Sequence, residues 1–416
     1  EYVIKETKTA GNQYVNILDG YKVIVRVHVD ADGRLTLVDA NGKAYAQNEK
    51  YKFEIVSETG AEVPEDIYTY VDVTVNNGKV KATFNAQIEN PVKYNVAIHE
   101  TIYGKEQIPL KGMPIEVAGF SPKTTVVTGE DGSVSFEESP VRADTYKYVF
   151  TQLDEFINTE GNTVPVEDEF VNILEDYYIG VDLKVHANGE IKSINADGDE
   201  TTTYYTLYKR DENGEFKQIS FEDTIVDDFV KVKITEGQGE QDDIYTLNVY
   251  IQIPEKYNFN LVKTDIDTKE NLNNVEFSIV VKDENGEVVL KDALSGKDAK
   301  DSFETITTKE LKTQTVNDID GIIEINNILI EKAGTYTYTI TENTPEVEGL
   351  IYKEKSEPIV VKVEIAVENG RYIVKNMELI QAQRYAIAEN TLVSGNETNT
   401  INVNVLNERI KSRRYS

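Results

Sequence analysis

The sequence predicts an all-β protein built from several β-sandwich domains in tandem, and three observations favour this class. Val, Ile, Thr and Tyr are abundant, and the 416 residues include 25 Tyr but no Trp, which is typical of strands. Asp-Gly and Asn-Gly pairs recur along the chain and mark hairpins or short loops. Similar strand–turn units also return at long intervals, which indicates a tandem array.

The charge and composition exclude several classes of function. A formal net charge of −31 argues against binding to nucleic acid or to anionic lipid, because both need clustered Lys or Arg. No run of 18 apolar residues occurs, so we expect no membrane insertion in this segment. Cys is absent, and an exported chain without disulfides must be stiffened in another way. Neither a signal peptide nor a cell-wall sorting signal is recognisable, so an exported protein would be represented here by an interior or processed piece.

Repeated segments within the sequence define the expected domains. The matching segments are 14–33 and 170–189, with a looser third copy at 358–370; 91–95 and 254–258; and 145–150 and 335–340. Their common order predicts one domain at 93–256 and another at 257–416. Residues 1–92 then hold only the later part of a domain.

The beginning of the chain aligns with the middle of a domain. Residues 1–6 match 337–342, so the first strands of the first domain are expected to lie outside this chain. Pro91 and Pro254 stand at the two joints, where they restrict the backbone, and we expect stiff connections.

Three strand-like stretches of the last domain each end an apolar face with a polar side chain. Alternate residues of a strand share a face, so each polar residue lies on the same face as the apolar residues two, four and six positions before it. The three faces are Tyr257, Phe259, Leu261 and Lys263; Tyr336, Tyr338, Ile340 and Glu342; and Ile401, Val403, Val405 and Asn407. Polar groups of this kind are costly to bury unless they are paired, so the pattern predicts that they meet in one core.

A buried Lys, Glu and Asn in contact can form a covalent bond. Burial lowers the pKa of a Lys and raises that of a Glu, which leaves a neutral, nucleophilic amine beside a protonated carboxyl. The amine of Lys263 can attack the side-chain amide of Asn407 and expel ammonia, with Glu342 relaying protons. Contact between the groups supplies the effective molarity for this single-turnover reaction. We therefore expect an isopeptide bond between the first and last strands.

Four stretches of the last domain carry a more specific combination of motifs. They are NLVKTD at 260–265, NLNNVEF at 271–277, GTYTYTITE at 334–342 and NVLN at 404–407. In these stretches the chain resembles the isopeptide-bonded domains of Gram-positive pilins and surface adhesins, namely the streptococcal pilin isopeptide-linkage domain and the collagen-adhesin B-type domain. The resemblance covers 257–410 and extends more loosely over 93–256. It implies tandem Ig-like/CnaB-like β-sandwich domains, a cross-link between Lys263 and Asn407, and a catalytic role for Glu342 in forming it.

The middle domain departs from this pattern at all of the expected positions. Glu100 takes the place of Lys263, Gln152 that of the Glu, and Ile253 that of the Asn. The sequence therefore predicts a middle domain without an isopeptide bond.

The first domain keeps part of the pattern. Glu6 and Asn90 stand at matching places, as possible catalytic and cross-link residues, and the Lys would lie upstream of residue 1. Two interpretations stay open: a first domain that is simply truncated, or a split domain that a strand of another subunit completes. In the second case Asn90 would be bonded to a lysine of that subunit.

No metal site or cofactor site is predicted. The acidic turns at 30–33 and 283–286 do not match a calcium-binding loop of the EF-hand type. His28, His99 and His186 lie in separate strands without the spacing of zinc ligands. No signature of a nucleophilic hydrolase is evident, so we expect no enzyme activity on a substrate.

The combined pattern favours an extracellular structural protein on a Gram-positive cell surface or in its wall or pilus. Its partners would be other copies of itself in a fibre, in which it forms the shaft or stalk. The alternative is an adhesin that binds a host matrix protein, with the acidic stretch 197–243 as the candidate insert. The basic tail at 409–416 is expected to be a linker.

Overall fold

The computed structural model describes residues 1–7, 11–237, 243–265, 267–286, 311–342, 358–381, 386–391 and 399–407. Strands dominate these residues, and each helix within them is a short turn, so the predicted all-β class is confirmed. Within the same residues, no helix is long and apolar enough to cross a membrane.

The first seven strands form three small sheets. They are β1 (Tyr2–Ile4), β2 (Tyr21–Val25), β3 (Val27–Val29), β4 (Leu35–Leu37), β5 (Glu54–Ser57), β6 (Val71–Asn77) and β7 (Ala82–Ile88), with a 3-10 helix at Glu65–Tyr70. The sheet order is β1-β2-β5, with β3-β4 and β6-β7 as separate antiparallel pairs. A small core of their inward apolar residues lies between them.

The next fourteen strands form the middle domain. They are β8 (Val92–Ile102), β9 (Pro114–Ala118), β10 (Thr124–Val127), β11 (Ser133–Val141), β12 (Thr145–Gln152), β13 (Glu155–Ile157), β14 (Thr163–Pro165), β15 (Tyr177–Val185), β16 (Ile191–Ile194), β17 (Glu200–Thr201), β18 (Thr206–Arg210), β19 (Phe216–Ile219), β20 (Val230–Glu236) and β21 (Tyr245–Ile253). Helix α1 (Val166–Glu169) and 3-10 turns at Phe221–Asp223 and Val226–Phe229 interrupt them. A sheet of order β11-β8-β21-β20 faces the sheet β10-β9-β12-β15-β16-β17, to which β18 and β19 are added.

The last ten strands form two five-stranded sheets. They are β22 (Tyr257–Asp265), β23 (Glu276–Lys282), β24 (Leu311–Lys312), β25 (Gln314–Val316), β26 (Ile319–Ile328), β27 (Gly334–Glu342), β28 (Ile359–Glu368), β29 (Arg371–Gln381), β30 (Ala386–Thr391) and β31 (Asn399–Asn407). The orders are β25-β26-β22-β31-β30 and β24-β23-β27-β28-β29. The rings of Phe259 and Tyr338 stack across the two sheets with centroids 5.7 Å apart, so the inward faces of β22 and β27 meet.

The middle and last domains share one topological feature. Their first and last strands lie side by side and run parallel, β8 with β21 and β22 with β31. Every other strand pair among the described residues is antiparallel. The strand that begins each of these domains is therefore the direct neighbour of the strand that ends it, and the chain enters and leaves at opposite ends of this parallel pair.

Candidate functional site

Lys263 ends the buried face of β22. The strand alternates between buried and half-buried residues, and Tyr257, Phe259 and Leu261 precede Lys263 on the inward side. The Lys263 side chain is fully buried, and its Nζ donates a hydrogen bond to Oε2 of Glu342 at 3.0 Å. Glu342 is the last residue of β27 in the opposite sheet. The period-two pattern of each strand thus brings an amine and a carboxylate together inside the core.

Burial controls the ionisation of this amine. It lowers the pKa of Lys263 below its ordinary value, because the charged form is removed from water. The carboxylates of Glu342 and Asp265 act in the opposite direction, since both favour an ammonium. The arrangement raises the fraction of neutral amine, which is the nucleophilic form.

Asn407 occupies the neighbouring position in the sheet. In the parallel register of β22 and β31, Lys263 pairs with Val405 and Asp265 pairs with Asn407. Residues at matching positions of adjacent strands lie on the same face, so Asn407 belongs to the face that carries Lys263. The structure therefore places the backbone of Asn407 two register positions beyond the buried lysine.

Asp265 is a further buried acid that the motif analysis did not single out. It is 1% exposed, and its Oδ1 accepts hydrogen bonds from the backbone N–H groups of Asp267 and Thr268 at 2.8 and 3.0 Å. Residues 257, 259, 261 and 263 share the inward face of the strand, so the same alternation predicts that Asp265 also lies on this face. Its carboxylate fixes the turn that follows β22.

The middle domain has the same framework with different side chains. Glu100 pairs with Ile251, two residues before Ile253, as Lys263 pairs with Val405 two residues before Asn407. Gln152 ends β12 as the counterpart of Glu342, and it pairs with Ile115 of β9. The replacements that the sequence comparison identified therefore stand at equivalent places in the sandwich.

These replacements leave polar groups in the core of the middle domain. Glu100 is fully buried and Gln152 is 6% exposed. Within the described part of the chain, neither side chain has a hydrogen-bond partner. Burial raises the pKa of Glu100 to about 8, so this carboxyl is neutral at pH 7. The position that holds an amine in the last domain holds an uncharged acid here.

Glu6 and Asn90 meet in the first domain, although 83 positions separate them in the chain. Asn90 Nδ2 donates a hydrogen bond to Glu6 Oε1 at 2.6 Å, and both residues are half-buried. The second oxygen of Glu6 and the amide oxygen of Asn90 are buried without a partner among the described residues. An acid and an amide are therefore in contact here, and no lysine among the described residues bonds to either side chain.

The last domain matches a known family. Residues 252–393 match the model of FctA, a Spy0128-like isopeptide containing domain. The matched stretch includes Lys263 and Glu342, and the resemblance to isopeptide-bonded pilin domains is confirmed for it. Comparison with curated proteins gives no match.

Solved structures similar to this chain include proteins of Gram-positive pili. They are the C-terminal fragment of pilus adhesin SpaC from Lactobacillus rhamnosus GG (12% identity, 76% of this chain and 98% of that one, TM-score 0.24), the minor pilin GBS52 from Streptococcus agalactiae (12%, 78% and 99%, 0.22), and the major pilin subunit BcpA from Bacillus cereus (13%, 76% and 100%, 0.21).

Arg371 forms a junction between the middle and last domains that the sequence did not reveal. Its guanidinium donates hydrogen bonds to the carboxylates of Glu255 and Glu169, which are 4% and 6% exposed. The Cζ atom of Arg371 lies 4.4 Å from the centroid of the Phe170 ring. The backbone N–H of Tyr372 adds a 2.7 Å hydrogen bond to Glu255. No signal in the sequence links these residues, because they come from distant segments of two domains.

The other candidate regions contribute no assembled site. Within the described residues, no group of three or more His, Asp or Glu is placed to hold a metal ion. His99 contacts Asn248, and His186 contacts Glu200, in different sheets. The stretch 197–243 contributes β17 to β20, and its residues 238–242 and the basic tail at 409–416 lie outside the described residues.

Proposed function

We propose that this protein is a structural subunit of a bacterial surface pilus or fibre, stiffened by an isopeptide bond between Lys263 and Asn407. The observation that carries the proposal is the buried amine of Lys263, which lies 3.0 Å from the Glu342 carboxylate and two register positions from Asn407. The family match over 252–393 supports the same chemistry.

The reaction would use the buried amine of Lys263, the carboxyl group of Glu342 beside it and the side-chain amide of Asn407. The neutral amine of Lys263 attacks Cγ of Asn407, the new C–N bond forms, and the original bond from Cγ to the amide nitrogen breaks. Glu342 takes a proton from the attacking nitrogen and passes one to the leaving group, which departs as ammonia. A buried site suits this step because burial lowers the lysine pKa and keeps water from competing.

The bond would redirect mechanical force. A pull along the fibre enters the last domain at β22 and leaves at β31, two parallel strands that are direct neighbours. A covalent link between Lys263 and Asn407 carries the load from one strand to the other, so the residues between them bear none of it. This is the property that a shaft or stalk needs when it holds a load away from a cell.

Intact mass spectrometry of the purified chain tests the proposal. We expect the mass of the sequence less one ammonia, and the full mass in a Glu342→Gln variant, which keeps the side-chain shape but cannot relay protons. A Lys263→Ala variant should also retain the full mass, whereas Lys312→Ala, at an exposed lysine of the same domain, should show the deficit.

Peptide mapping assigns the bond. A branched peptide that joins the segments containing Lys263 and Asn407 would support the proposal. The full unmodified mass in the wild-type chain would refute it and leave an array of β-sandwiches without a covalent reinforcement.

A further inference from the structure

We propose that the middle domain carries a binding groove for an uncharged saccharide on the outer face of the sheet β11-β8-β21-β20. The groove has a volume of about 640 Å³, which lies within the range of small-molecule sites. The inference goes beyond the proposed structural role, because it assigns a ligand to the side of the sandwich. It does not depend on the bond at Lys263, so the two proposals can fail separately.

Part of the groove lining comes from the two strands that pair in parallel, β8 and β21. His99 lies opposite Tyr250 in their register, and Thr101 lies opposite Gln252. All four side chains are half-buried, whereas the residues between them on both strands are buried in the core. Because alternate residues of a strand share a face, one stripe of the sheet presents an imidazole, a phenol, a hydroxyl and an amide to the groove.

The rings of His99 and Tyr250 form a stacked pair within this lining. Their centroids are 4.6 Å apart, and their planes differ by 14°. Asn248 orients the imidazole: its Nδ2 donates to the backbone carbonyl of Lys233 at 3.1 Å, which leaves Oδ1 to accept from Nε2 of His99 at 3.1 Å. Aromatic rings of this kind pack against the C–H faces of sugar rings, and a pair that is already held in place loses little conformational entropy on binding.

Side chains of both charges line the same groove, which argues for an uncharged ligand. Asp227 and Asp228 come from the 3-10 turn that precedes β20. Lys231 and Lys233 lie on β20 itself. An anion would meet the two carboxylates and a cation would meet the two amines, and the formal net charge of −31 disfavours an anion further.

Hydroxyl groups match this mixture of partners. A hydroxyl both donates and accepts hydrogen bonds, so it can bond to a carboxylate, an ammonium or an amide. The amide of Gln252 and the hydroxyl of Thr101 offer further donors and acceptors beside the stacked rings. A neutral ring that carries several hydroxyl groups, with C–H bonds on its faces, is therefore the ligand chemistry that fits the whole lining.

The last domain helps to fix one wall of the groove. Gln107 lines the groove, and the two residues before it are bound to the last domain. The backbone N–H of Lys105 donates to the carbonyl of Glu331 at 2.9 Å, and the backbone N–H of Ala333 donates to Oε1 of Glu106 at 3.1 Å. The loop that presents Gln107 is therefore held in position before a ligand binds.

An array of immobilised oligosaccharides tests the proposal on the full chain. The array carries neutral glycans built from glucose, galactose and mannose, together with sialylated and sulfated forms of the same glycans. We expect binding to a neutral glycan, which titration calorimetry with the free sugar then measures. The affinity should change little between low and high salt, because an uncharged ligand forms no ion pairs that salt can screen.

Variants of the lining assign the binding to the groove. Tyr250→Ala should raise the dissociation constant by about tenfold, the size of one lost aromatic contact, and Tyr250→Phe should restore binding. Gln252→Ala should also weaken binding, and it tests the groove independently if Tyr250→Ala does not fold. Tyr178→Ala is the matched control, because Tyr178 stacks on Tyr208 with centroids 4.5 Å apart in the other sheet of the same domain. It should leave the affinity unchanged.

Three outcomes would overturn the inference. The first is a wild-type chain that binds no glycan, or only the sialylated and sulfated forms. The second is neutral-glycan binding that survives Gln252→Ala and a folded Tyr250→Ala variant. The third is an equal loss of binding in Tyr178→Ala, which would place the site on the opposite sheet.

Discussion

The middle and last domains share one framework and differ in the side chains at its centre. Both place their first and last strands side by side in parallel, and both put a polar residue at the same inward position of the first strand. In the last domain this residue is Lys263, which contacts Glu342 across the core. In the middle domain it is Glu100, which has no hydrogen-bond partner among the described residues.

The strand topology alone therefore does not determine whether a domain can form a covalent bond between its first and last strands. The parallel pairing makes the first and last strands of each domain direct neighbours, but only a matched amine, acid and amide can join them covalently. An unpaired acid at this place costs free energy, because a buried carboxyl gives up its hydrogen bonds to water. We expect the middle domain to be the weaker of the two under force and heat.

The largest effect should follow from removing the bond itself. Glu342→Gln should lower the free energy of unfolding of the last domain by about 4–5 kcal/mol, by analogy with a disulfide that closes a loop of about 100 residues. Single-molecule pulling should then show an additional unfolding event that the wild-type chain lacks. An unchanged number of events would contradict the force path described above.

The middle domain can be given the Lys, Glu and Asn of the last domain by three substitutions. The triple variant Glu100→Lys, Gln152→Glu and Ile253→Asn should lose one more ammonia than the wild-type chain. The bond should raise the stability of this domain by up to about 4 kcal/mol on the same reasoning. Glu100→Lys with Ile253→Asn, which leaves Gln152 unchanged, serves as the control and should show no second deficit. A triple variant that folds without this deficit would show that the equivalence of the two frameworks is incomplete.

The buried acid of the middle domain predicts a specific pH dependence. Its folded-state pKa of about 8 lies above the ordinary value of 4.5, so the folded state holds a proton that the unfolded chain releases between these values. Glu100 should therefore make this domain less stable as pH rises from about 4.5 to about 8, by up to about 1.4 kcal/mol per pH unit.

The measurement is the thermal unfolding of the full chain at several pH values. A Glu100→Gln variant, which cannot ionise, should show a smaller loss of stability than the wild type over this range. Identical pH profiles for the two proteins would refute the assignment.

The smallest expected loss of stability follows from a substitution at the junction between the middle and last domains. Arg371→Ala removes the partner of Glu255 and Glu169, and we expect a loss of about 2 kcal/mol, the size of hydrogen bonds to charged groups. The unfolding transitions of the middle and last domains should separate on calorimetric heating. Lys375→Ala, at an exposed ion pair on the same strand, is the control and should leave the transitions unchanged.

Much of the candidate site could be predicted from alternation along single strands. Inward positions repeat every second residue, so Lys263 and Glu342 could each be placed on a buried face without knowledge of the fold. The same alternation, with the repeated segments, pointed to Glu6 and Asn90 and to the replacements Glu100 and Gln152. These inferences needed only local geometry and self-similarity of the chain.

Strand composition and turn signals were sufficient to predict the all-β class, and alternation identified the residues that could meet in each core. The contacts between distant groups at the surfaces of sheets and domains could be found only in the folded structure. Arg371 reaches Glu255 and Glu169 from another domain, and among the described strands β7 pairs only with β6. Both features depend on how sheets and domains are placed. Alternation along a strand specifies a face, but it carries no information about what lies opposite that face.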